Sequence, residues 1–149
     1  MFKDAITEIF ERDLLKLKEE ISAYPDENSL WVVQKGISNS AGNLCLHLLG
    51  NLNHFIGATL GQTGYVRERD REFTDKNIPR AELLAAIDRV IEVIKNTLQQ
   101  LSSEDMEKNF PLEKHGQVIK TDYMLLHLLT HFHYHLGQIN YHRRLTATV

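Results

Sequence analysis

His127, His131 and His135 recur at four-residue spacing in the segment His127-Leu-Leu-Thr-His131-Phe-His133-Tyr-His135. On a helix turning about 100° per residue, three such positions fall within about 80° of one another, while His133 points to the opposite side. Imidazoles one turn apart on an otherwise apolar helix can offer two nitrogens to a single metal ion. That ion needs at least one more ligand from elsewhere in the chain.

An apolar stretch from Ser40 to Arg67 contains no acidic residue and supplies two candidates, His47 and His54. Seven residues apart, they are separated by only about 20° on a regular helix, with Asn51 between them on the same stripe. Cys45 falls roughly 160° from His47 by the same arithmetic, which takes its thiol off that face. The favoured constellation is one histidine from this helix and two from the last, with coordination positions left for water or substrate. Buried imidazoles need polar partners, and a shared ion provides them. A lone histidine is more often a surface or satisfied core residue. On that ground His133 and His142 read as solvent-facing or end-of-helix groups, and His115 as a loop residue with no neighbouring ligand.

Other metal chemistries lack their parts. A zincin has Glu directly after the first histidine of its pair, where this chain has Phe132. Di-iron carboxylate bundles use Glu-x-x-His on two helices, a spacing that occurs nowhere here. Bis-histidine haem would leave the one-turn pair His131/His135 without a purpose.

The elements that must position these side chains are helical. Phe2, Ile6, Ile9, Phe10, Leu14, Leu17 and Ile21 carry the three-and-four spacing of an amphipathic helix to about Ala23, where Tyr24-Pro25-Asp26 stops it. Residues 26–39 lose the period and read as an ordered connection. Ser38, Asn39 or Ser40 then caps a second helix to about Leu60, ended by Gly61 and Gly64. The charged, aperiodic run from Tyr65 to Ile78 reads as a solvated polar loop. Ile78-Pro79 opens a third helix to about Leu101, with Leu83, Leu84, Ile87, Val90, Ile91, Ile94 and Leu98 as its buried stripe. Ser102-Ser103-Glu104-Asp105 suggests a capped turn, Phe110 to Lys120 a connection with a short strand pair near Val118, and Thr121 or Asp122 the cap of a fourth helix to about Leu145. The expectation is an all-α fold, a single-domain helical bundle with crossover connections.

At 149 residues, 42% of them hydrophobic, the chain suffices for one domain with a substantial core. A net charge of -3 with interspersed signs gives no footprint for nucleic acid, and there is no basic run for an anionic membrane. With no signal-type apolar segment, a cytoplasmic protein is expected. The single cysteine, Cys45, excludes an intrachain disulfide or a multi-thiolate zinc knuckle. Apolar residues in the first connection, Trp31, Val32 and Val33, suit a homodimer by analogy with other small bundles.

Asn43-Leu-Cys-Leu-His47-Leu-Leu-Gly-Asn51-Leu and His131-Phe-His-Tyr-His135-Leu-Gly-Gln138-Ile resemble the two ligand-bearing motifs of the DinB/YfiT-like metalloenzyme superfamily. Gly64-Tyr-Val-Arg67-Glu-Arg69-Asp70-Arg71-Glu72-Phe73 is similar to one branch of it. The resemblance spans the whole chain in length and helix order. It implies a four-helix bundle with one divalent metal, zinc or nickel before iron, on His47, His131 and His135. His54 departs from the pattern, as a fourth ligand, a ligand-supporting group or a pocket residue. Asn51 and Gln138 match motif positions that support ligands or orient substrate, and His127 lies one turn before the pair.

Characterised relatives in that superfamily include thiol S-transferases and a thiol-dependent isomerase. The implied function is therefore transfer of a low-molecular-weight thiol to a small electrophile, with one of Arg67, Arg69 and Arg71 holding a carboxylate of the thiol. A metal-dependent hydrolase and a non-catalytic metal-binding module are the alternatives.

Overall fold

The computed structural model describes residues 1–146, and over them the chain is all-helical, with six α-helices and no strand. These are α1 (Phe2–Ala23), α2 (Ala41–Leu52), α3 (Arg69–Thr74), α4 (Arg80–Gln100), α5 (Ser103–Glu107) and α6 (Thr121–Thr146), with a 3₁₀ turn at Glu27–Trp31. The long helices contact one another in a closed cycle: α1 packs on α4 and α6, and α2 packs on the same two. Each turns one apolar stripe inward. Phe10, Leu14 and Leu17 of α1, Leu48 and Leu52 of α2, Ile87 of α4 and Phe132 of α6 are wholly buried. Burial of each such side chain stabilises the fold by about 1.5–3 kcal/mol, and Phe132→Ala would cost about 3–5 kcal/mol. Among the described residues no helix is long and apolar enough to cross a membrane.

Local chemistry sets the helix ends. Tyr24 is extended, as the residue before Pro25 must be, and this stops α1. Asp26 caps the 3₁₀ turn through the N–H of Asn28. Of the three capping candidates for α2, the structure uses Ser40, whose Oγ accepts from the N–H of Asn43 at 3.1 Å. Trp31 lies flat over Gly42, where a Cβ would stand 2.6 Å from the indole, so glycine is required there. Ser102 and Asp105 form the reciprocal capping box of α5. In place of a strand pair near Val118 there are two isolated antiparallel bridges, Asn109 with Lys120 and Lys114 with Gln117.

Two expectations about the middle of the chain are corrected. The second helix does not run as a regular α-helix to Leu60. After Leu52 it widens into π-helical turns over Asn53–Ala58, with Thr59 N–H donating to the His54 carbonyl and Gly61 N–H to that of Ile56. The wider turn changes the angular phase past Leu52, so the α-helical arithmetic that placed His54 beside His47 no longer applies. Nor is the segment 65–78 simply a solvated loop. It contains α3, which packs on α2 and is moored by Asn43, whose Nδ2 donates to the carbonyls of Glu72 (2.9 Å) and Asp75 (2.8 Å).

Candidate metal centre

His47 projects from α2, and His131 and His135 project from α6 one turn apart. The helix pair brings one possible ligand atom from each of the three within 4.8 Å of one another. The ring centroids stand 5.1 Å apart for His47 and His131, 5.4 Å for His47 and His135, and 4.7 Å for His131 and His135. Among the described residues this group of three histidines is one that could hold a metal ion.

The outward-facing nitrogens are fixed by hydrogen bonds. His47 Nδ1 donates to Oε1 of Glu72 at 3.0 Å, and His135 Nδ1 donates to Oε1 of Gln138 at 2.7 Å. Both rings therefore present Nε2 as a lone pair. His131 Nε2 faces His47 Nε2 at 3.2 Å, and its buried Nδ1 has no hydrogen-bond partner. A lone pair from each ring can thus be aimed at one point, and a carboxylate or amide sits behind two of the three. That is the donor chemistry of a three-histidine divalent site with its ligands oriented from behind, so the residues present fit such an ion.

Electrostatics favour the ligating form. Burial, then the neighbouring imidazoles of His135 and His47, pulls His131 down to about 4. Burial also lowers His135, even though its bond to Gln138 acts the other way. These imidazoles are neutral at neutral pH, as ligands must be. Glu72 is 6% exposed; burial pushes its carboxyl up, but hydrogen bonds from His47 and Arg67 outweigh this and hold it below the ordinary value.

A family profile described as a protein of unknown function (DUF1572) matches residues 2–148. The chain belongs to the DUF1572 family. The DUF1572 match contains every helix that builds the centre. No curated protein matches this DUF1572 chain.

Sequence reasoning missed one residue of the candidate centre. Glu72 lies in a run of alternating charges, and nothing in that run marks it as buried. In the structure Arg67 clamps it with two parallel bonds, Nε to Oε2 at 2.9 Å and Nη2 to Oε1 at 3.0 Å. Phe73, next in sequence, packs on the His47 ring with centroids 4.9 Å apart. The usable signals were Phe73 inside a charged run and Gly50 one turn after His47.

The remaining candidates are distributed around the three-histidine group. Asn51 is buried beside it with Oδ1 unpartnered. His54 lies outside the three-histidine group, edge-on to Phe55 at 4.6 Å. His127 also lies outside the group, and burial lowers its pKa. Arg71 pairs with Glu68 and Asp75, and Arg69 stacks over Phe73. His142 is a correction: it is not solvent-facing but buried, with Nδ1 2.7 Å from the Tyr24 hydroxyl and Nε2 donating to the Val32 carbonyl at 2.8 Å. His133 is exposed and bonds Asp13 at 2.9 Å. His115 is exposed in a turn with φ 49°. Cys45 is fully buried, and burial pushes its thiol up to about 12.

Proposed function

We propose that this protein is a metal-dependent enzyme of the DinB/YfiT-like type, a four-helix bundle with one divalent ion on His47, His131 and His135, and that it transfers a low-molecular-weight thiol to a small electrophile. Imidazole ligands suit zinc, nickel, iron and copper alike, and the resemblance to the DinB/YfiT-like superfamily favours zinc or nickel, then iron. The observation that carries the reading is the convergence of three imidazoles whose one neighbouring carboxylate is already committed. A divalent ion held there supplies Lewis acidity that brings the pKa of a thiol or a water toward neutrality.

The chain's own residues then decide between the two nucleophiles. Glu72 has Oε1 on His47 and both oxygens on Arg67, so it orients a ligand, and these bonds outweigh its burial and hold its carboxyl below the ordinary value, which makes it a weak base. Hydrolysis commonly uses a carboxylate base, whereas an acidified thiol needs none. The buried, unpartnered Oδ1 of Asn51 is available to accept a hydrogen bond from a bound molecule.

Protein purified without a histidine tag, analysed for metals and assayed for conjugation of simple thiols to 1-chloro-2,4-dinitrobenzene, tests the proposal. About one ion per chain and turnover lost in His131→Ala with the fold retained are expected. Full conjugation after chelation would overturn it.

A further inference from the structure

Carboxylate recognition by the arginines of residues 67–71 is not what the structure favours, since Arg67 and Arg71 are paired and Arg69 is stacked. A different place carries that chemistry. A cavity of about 510 Å³ lies between the irregular segment 34–39 and the C-terminal half of α6. His135 and Gln138, bonded to each other, form part of its wall, so it opens directly on a side chain of the metal centre. Leu44, Ile37 and Tyr141 give it apolar surface, and no carboxylate among the described residues lines it.

Its cation is Lys35. Ile37 N–H donates to the Gln34 carbonyl at 3.2 Å, and Gly36 has φ 94°, so Lys35 sits at the second position of a tight turn that only a glycine at the third position closes easily. Arg144 stacks on the ring of Tyr141 with its guanidinium carbon 5.1 Å from the centroid, adding positive charge beside the same wall. Among the described residues Lys35 is the only lysine or arginine that lines the cavity.

We propose that this cavity binds a small organic carboxylate, with the carboxylate on Lys35, the apolar body against Leu44, Ile37 and Tyr141, and the far end directed at His135. The proposal rests on the thiol-transfer reading in one respect: it makes this molecule one of the two reactants. A molecule of that class would span from a fixed charge to the metal centre, and a neutral analogue would lose its anchor.

The test separates the two ideas. In metal-free protein, calorimetric titration compares 3-phenylpropionate with 3-phenylpropan-1-ol. The acid is expected to bind about fivefold tighter or more, Lys35→Ala to bring the two within about twofold, Lys35→Arg to keep most of the preference, and Lys18→Ala to change nothing. Equal binding of acid and alcohol to the unaltered protein, or a preference that survives Lys35→Ala, overturns the proposal. A second titration in zinc-loaded protein compares 3-mercaptopropionate with 2-mercaptoethanol, and the same Lys35-dependent preference is expected. Failure to bind zinc sinks the metal-enzyme reading and leaves the first titration to decide the cavity. Zinc binding without a Lys35-dependent preference sinks the cavity alone.

Discussion

Gly50 and Glu72 meet in one space. A Cβ built on Gly50 would overlap Oε2 of Glu72 and stand 2.6 Å from its Cδ, so the absence of a side chain on α2 is what lets the carboxylate of α3 reach His47. Gly50→Ala therefore separates helix stability from site geometry. Alanine favours the helix by about 1 kcal/mol, yet the methyl must displace the carboxylate. The expected outcome is zinc affinity lowered about tenfold, measured by competition with a chromophoric chelator, with the metal-free protein destabilised less than by Glu72→Ala because the helix gain offsets part of the disturbed Arg67 clamp.

Glu72→Gln should lower zinc affinity by about 10- to 100-fold, because a neutral amide holds His47 in place but withdraws the negative charge behind its ring. Glu72→Ala adds a second effect. It leaves Arg67, whose side chain is 12% exposed, without its partner and should cost about 3 kcal/mol in urea unfolding of the metal-free protein. Equal chelator competition by the Gln variant and the unaltered protein would show that Glu72 does not act through His47.

His131 gives the metal-free protein a pH dependence whose sign follows from its lowered pKa. Its folded value, about 4, lies below the ordinary 6.5, so between these values the unfolded chain takes up a proton that the folded chain refuses. Stability is full above about pH 6.5 and falls as the pH drops toward about 4. Urea unfolding across that window should show this loss, and His131→Leu should flatten part of it. A slope unchanged by that substitution would mean that another group is responsible.

Cys45 should be inert in the native state. With the thiol buried and its pKa raised to about 12, reaction with iodoacetamide at pH 8 should be limited by unfolding and should match the reaction of the denatured chain only in urea. Rapid native labelling would contradict the packing around α2.

Tyr24→Phe removes the hydroxyl that donates to the Ile139 carbonyl at 3.2 Å and meets His142 at 2.7 Å. A loss of about 1–2 kcal/mol in denaturant unfolding is expected, with zinc affinity unchanged, because this network lies away from the three-histidine group.

What was legible in the sequence divides along physical lines. The stripe Ile6, Phe10, Leu14, Leu17 and Ile21, and that of Leu83, Ile87, Val90, Ile94 and Leu98, are buried as their period requires, since within one regular helix spacing determines direction. The same rule put His131 and His135 on one side of α6. Beyond a helix, spacing says nothing about approach, so the mooring of α3 on Asn43 and the burial of Glu72 were hidden in a run of charges. The π-helical turns over Asn53–Ala58 interrupt the α-helical period on which the placing of His54 depends. His142 lies close to the helix end, as its position suggests, but on the buried side, since it follows Phe132, Leu136 and Ile139 at three- and four-residue steps.

His47 and His131 touch across 84 positions of chain, and α3, α4 and α5 with their connections lie between them. An ion shared by the two would close that loop as a removable cross-link. In the unfolded chain such a loop is entropically expensive to close, by a term that grows slowly with its length, so the ion's grip and the docking of α2 on α6 must rise and fall together. Metal release would then be paced by the separation of two helices, and a slow exchange rate would report on the first step of unfolding.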